Sequence, residues 1–84
     1  MAEKTLTTIL EVRENTKDTI AVTFQAGNCP SGILLDVSRL SKNNLGYLQA
    51  DNPVIVETKG PLDKAGTEFI ALYKPGQEEP LYTN

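Results

Sequence analysis

Residues 19–26, Thr-Ile-Ala-Val-Thr-Phe-Gln-Ala, place Ile20, Val22, Phe24 and Ala26 on one face and Thr19, Thr23 and Gln25 on the other. Successive side chains of an extended chain point to opposite sides, so this stretch buries one face of a sheet and wets the other. Residues 5–13 repeat the pattern, with Leu6, Thr8, Leu10 and Val12 on one face, Thr7, Glu11 and Arg13 on the other, and Ile9 out of step. Only the polar stretch 14–18, Glu-Asn-Thr-Lys-Asp, separates the two. Two half-buried strands joined by a short polar loop make an antiparallel hairpin. A chain that opens this way is committed to a β-rich fold.

The remaining segments extend the sheet. Gly27-Asn28-Cys29-Pro30-Ser31-Gly32 reads as a turn or bend, because Gly and Asn tolerate positive φ and Pro fixes its own φ. Residues 33–37 then read as a short third strand, 54–58 as a fourth and 67–73 as a fifth, apolar on both faces. Between the third and fourth, Val37, Leu40, Leu45 and Leu48 can line one side of a short helix capped by Ser38 or Ser41. Asn43, Asn44 and Gly46 oppose helix there, and one or two helical turns are favoured over a strand. Residues 1–76 form one small β-rich domain, and 77–84 are expected to be a polar tail in which only Leu81 and Tyr82 can dock.

The expected class is mainly β, a barrel or an α+β sheet, of about five antiparallel strands with one short helix between strands 3 and 4. That order, over most of the chain, resembles the OB-fold, a five-stranded barrel; other small barrels fit the same order. A fold resemblance supplies no function.

Composition narrows the functional classes. A chain of 84 residues with one cysteine and no histidine closes no internal disulfide and assembles no ordinary zinc site. So short a chain buries a modest core, and self-association is one way to add to it. The net charge is −3, with the eight basic residues scattered, which counts against wrapping a nucleic-acid duplex. No window approaches the ~20 apolar residues of a membrane span. With its polar N-terminus and lone thiol, the chain is expected to be cytoplasmic and to need no cofactor.

Missing histidine removes the Ser-His-Asp and Cys-His arrangements. Cys29 has Arg39, ten positions on, as its nearest cation in sequence, and reads as a structural residue in a turn. Asp36, Glu57 and Glu68 lie in or beside strands, where acids on a solvated face are ordinary, and no spacing selects a pair. Lys59 and Lys64 sit in the loop between the last two strands, a place where OB-like barrels grip ligands.

Aromatic residues complete the candidate surface. Phe24 belongs to the core. If Ile70 and Leu72 face inward, Phe69, Ala71 and Tyr73 form an exposed apolar stripe that calls for a partner. The candidate binding residues are therefore Phe69, Tyr73, Tyr47, Lys59 and Lys64. Glu57, Glu68, Glu78 and Glu79 would repel phosphate, so a protein partner or a second copy of the chain is preferred over single-stranded nucleic acid. The expected activity is non-catalytic: an interaction module for a protein or small ligand, with a single-strand nucleic-acid binder as the alternative.

Overall fold

The hairpin forms where the alternation puts it. In a computed structural model describing residues 2–64 and 66–84, β1 (Glu3–Glu14) pairs antiparallel with β2 (Thr19–Ala26), and β2 with β3 (Cys29–Asp36). A 3₁₀ turn (Val37–Arg39) and α1 (Lys42–Tyr47) precede β4 (Pro53–Thr58), which leads through a ten-residue connection to β5 (Phe69–Tyr73) and then β6 (Pro80–Thr83). All six strands belong to one antiparallel sheet in the order β3-β2-β1-β4-β5-β6, curled into a half-barrel. The expected class holds, with its short helix between strands 3 and 4. Among the described residues, no helix is long and apolar enough to cross a membrane.

The strand number rises to six because residues 80–83 are not a tail. β6 pairs with β5 (Ala71↔Thr83, Leu72↔Tyr82), and Leu81 and Tyr82 are only 4% and 6% exposed. Four residues are too few to show an alternation, and two adjacent apolar residues between polar neighbours resemble a tail in any period count.

Bulges decide which side chains of β1 and β5 enter the core. In β1, Ile9 lies opposite Phe24 but Glu11 lies opposite Thr23, so Leu10 is an extra residue. Cross-strand partners share a face. Ile9 therefore joins Phe24 inside, and Val12 resumes inward opposite Val22. Ahead of the bulge, Leu6 points outward and is 66% exposed, while Leu10 is 44% exposed. Period-two counting across 5–13 puts Leu6 and Leu10 with Val12 and leaves Ile9 aside; one inserted residue reverses that.

The second bulge lies in β5, where Phe69 faces Thr58 and Ala71 faces Glu57. Phe69 and Leu72 consequently turn inward, and Ala71 and Tyr73 outward. The core contains Ile9, Val22, Phe24, Leu35, Val54, Val56 and Leu72, each at most 1% exposed, with Leu48, Leu81 and Tyr82 closing its ends.

Short local devices set the connections. Only Gly27 and Asn28 form the β2–β3 turn, with Gly27 at φ 62°, the conformation a two-residue hairpin asks of glycine at its first position. Cys29 and Pro30, expected in a bend, already belong to β3, an edge strand whose free side tolerates a proline nitrogen. Ser41 caps α1, its Oγ accepting from the Asn44 amide at 3.1 Å. Asp36 caps the 3₁₀ turn, its Oδ1 accepting from the Ser38 amide at 3.0 Å and the Ser38 hydroxyl at 2.7 Å. These two bonds, with nearby Arg39, hold the Asp36 carboxyl below the usual carboxylate range.

Candidate functional site: the open seam beside β3

The half-barrel does not close uniformly. At the Asp36 end of β3, β6 spans the gap. The Asp36 amide donates to the Tyr82 hydroxyl at 3.1 Å, Arg39 Nη2 to the Thr83 carbonyl at 2.7 Å, and Asn44 Nδ2 to the Leu81 carbonyl at 3.2 Å. The Arg39 guanidinium also lies 5.0 Å from the Tyr82 ring centroid. Towards the Cys29 end, no described strand pairs with the free edge of β3, and Asn84, after β6, donates its amide to the Ile70 carbonyl at 2.8 Å.

A cleft of about 170 Å³ opens there. Ser31, Gly32 and Ile33 of β3 form one side, and Leu62, Lys64, Thr67 and Phe69 the other, over a floor of Phe24, Val56 and Thr58. Its apolar floor comes from the core, and Lys64 is its only charged lining residue among the described residues.

The β4–β5 connection is built to sit over this end. The Lys59 amide donates to the Glu68 carbonyl at 3.0 Å, and the Thr67 hydroxyl to the Pro61 carbonyl at 2.7 Å. Leu62 packs against the core. The β2–β3 turn approaches so closely that a Cβ added to Gly27 would meet Asp63 Cβ at 2.7 Å.

The β3 edge has a defined hydrogen-bonding pattern. A two-residue hairpin closes on a hydrogen-bonded pair, here Ala26↔Cys29, and bonded and non-bonded pairs then alternate along the ladder. Cys29, Ser31, Ile33 and Leu35 thus spend their backbone groups on β2. Gly32, Leu34 and Asp36 point theirs to the free edge, as the Asp36–Tyr82 bond requires. Leu34, on the outer face of this edge, is 61% exposed.

The five residues named from the sequence do not converge. Phe69 faces the cleft and stacks on Tyr82 (centroids 6.5 Å apart, rings inclined 20°). Tyr73 lies on the opposite face of the sheet, its hydroxyl donating to Glu57 Oε1 at 2.9 Å and its ring under Lys4 at 4.3 Å. Tyr47 ends α1, donates to the Pro53 carbonyl and stands beside Lys74, whose Nζ is 5.3 Å from the ring centroid. Lys59 pairs with Glu68 at 2.9 Å, an exposed pair of small energetic weight. Lys64 lines the cleft with Phe69. The expected stripe of Phe69, Ala71 and Tyr73 is thereby corrected: the β5 bulge divides it between two faces, and Ala71 is 1% exposed. Both edges of β5 are also occupied, by β4 and β6.

The acids stay apart: Asp36 on Ser38, Glu57 on Tyr73 and Glu68 on Lys59. Cys29 is exposed at the start of β3. Sequence reasoning missed Ser31, Gly32, Leu62 and Thr67 as lining residues. Pro30 followed by Gly32, after a strong strand and before an apolar run, was the available sign of an edge strand.

Tyr73 carries a pH signature. Its hydrogen bond to the Glu57 carboxylate, then partial burial, then the Glu57 charge raise its pKa above the ordinary tyrosine value. A raised folded-state pKa favours the fold below the unfolded-state value of ~10, and the contribution is lost as pH climbs through the folded value. In an ultraviolet titration one of the three tyrosines is expected to ionise late. Glu57→Ala should abolish that delay, and a titration unchanged by the substitution would remove Glu57 as its cause.

Comparison with protein-family models, with curated proteins and with solved structures finds no match for this chain.

Proposed function

We propose that the chain is a non-catalytic interaction module that meets a partner protein at the open seam between β3 and the β4–β5 connection. One observation carries the reading: an unpaired strand edge borders a cleft with an apolar floor and a single cation at its mouth. Apolar surface beside unpaired backbone groups gains most when another molecule covers both at once. The OB-like reading is in keeping with this, because such barrels bind on the strand 2–3 face and between neighbouring loops. The seam lies between β3 and such a loop.

The nucleic-acid alternative loses its stacking platform. Phe69 faces the cleft and Tyr73 the opposite face of the sheet, and the chain's own lysines lie over Tyr73 and Tyr47. Stacking on successive bases needs rings accessible along one groove.

The test is capture of a partner from the native host by variants of the two faces. Lys64→Glu is expected to weaken capture at least fivefold, whereas Leu6→Ser, on the outer face, leaves it unchanged. Both side chains are exposed, so neither substitution should disturb the fold. The opposite result, with capture lost in Leu6→Ser and kept in Lys64→Glu, would move the contact to the outer face.

A further inference from the structure

The free edge of β3 offers unpaired backbone groups to one more strand segment. Along β3, the Pro30 carbonyl and both backbone groups of Gly32 and Leu34 face the gap, bounded by the proline nitrogen at one end and by the Asp36–Tyr82 bond at the other. At the Asp36 end the gap is already taken by the Tyr82 side chain of β6, whose hydroxyl accepts from the Asp36 amide. The cleft behind the gap holds about 170 Å³, and a cavity of about 150 Å³ accepts one benzene ring. Lys64 lines the cleft and forms no ion pair among the described residues.

Resting on the seam as the contact face, we infer that its occupant is a short extended peptide segment of a partner protein. It adds to β3 as an antiparallel strand. One aromatic or branched apolar side chain fills the cleft over Phe24, Ile33 and Phe69, and an acidic residue two positions later meets Lys64. The order follows from direction: an antiparallel segment runs from Leu34 towards Pro30, and the two inward positions are two residues apart. Main-chain bonds to Gly32, Leu34 and Pro30 supply affinity, and the cleft and Lys64 supply selectivity. The fixed ends limit the footprint to about four residues. Lys64 lines the cleft itself, with Asp63 beside Pro30 and Ser31 in the adjoining pocket, and the cation on the cleft side favours an anion on the incoming strand there.

The probe is the hexapeptide Ac-Val-Thr-Phe-Thr-Asp-Thr-NH₂, titrated to about 5 mM into ¹⁵N-labelled chain. The Gly32 and Leu34 amides are expected to move most and to gain protection from exchange. N-methylation of the peptide's edge-facing amides should weaken binding at least tenfold. Replacing its Asp with Asn should weaken binding about two- to fivefold, the range of an exposed ion pair, and Lys64→Ala should erase that difference. No shift at Gly32 and Leu34 up to 5 mM, equal binding of the N-methylated peptide, or shifts centred on Leu6, Ile55 and Tyr73 would overturn the inference. Shifts at Gly32 and Leu34 that depend on protein concentration alone would assign the edge to a second copy and overturn it too. If these amides stay silent while Lys64→Glu still abolishes partner capture, strand addition fails and the seam stands as the contact face.

Discussion

A chain ending at Gly76 is expected to lose its cooperative thermal transition, or to melt at least ~20 °C lower than the full chain. Its missing residues include β6, which buries Leu81 and Tyr82 to 4% and 6% exposure. Burying two such side chains is worth about 4 kcal/mol together. A domain of this size has only about 4–12 kcal/mol in total, and each kcal/mol shifts the midpoint by roughly 4–8 °C. The loss also strips the Asp36 amide of the Tyr82 hydroxyl, Arg39 of the Thr83 carbonyl and Asn44 of the Leu81 carbonyl. A polar tail would be dispensable; an unchanged melting curve would therefore remove β6 from the fold.

Ile9→Ala should cost about 2–5 kcal/mol, read as a lower denaturation midpoint at constant slope. Ile9 is fully buried between Phe24 and the other core side chains, so its truncation leaves a cavity as well as losing transfer energy. Leu6→Ala and Leu10→Ala, on the outer face and in the bulge, should each stay within about 0.5–1 kcal/mol. Strict alternation from residue 5 to 13 predicts the reverse ranking. Comparable losses at Leu6 and Ile9 would contradict the bulged register.

The fold was legible wherever the alternation was uninterrupted. β2 alternates over all eight residues, from Thr19 to Ala26, and its inward set, Ile20, Val22, Phe24 and Ala26, is the buried set. The helix before β4 was legible through Ser41, whose capping bond outweighs the poor propensities of Asn43, Asn44 and Gly46 in a helix of six residues. Side-chain direction in β1 and β5 was hidden, because a bulge inserts one residue at a position that ladder geometry and packing decide. Leu10 and Ile70 carry no chemical mark of that role. The fifth strand's two-sided greasiness has the same origin: the bulge turns Phe69 and Leu72 inward together, and β6 covers the free edge of β5.

Of the candidate residues, Phe69 and Lys64 were found because an aromatic residue and a loop lysine are conspicuous in any sequence. Gly32 and Ser31 act through backbone placement and cavity shape, which one-dimensional spacing does not express. Tyr82 was recognised as able to dock, but its target, the Asp36 amide, lies 46 residues away. Only the curl of the sheet brings those two together.

Amide hydrogen exchange along β3 in the free chain tests the open seam most directly. Ser31, Ile33 and Leu35 should exchange slowly, because their N–H groups are spent on β2. Gly32 and Leu34 should exchange at least ~100-fold faster, giving an alternating profile that stops at Asp36, where Tyr82 takes over. Uniform protection from Ser31 to Leu35 would mean that the wall beside β3 is already closed, and the contact surface argued for it would not exist.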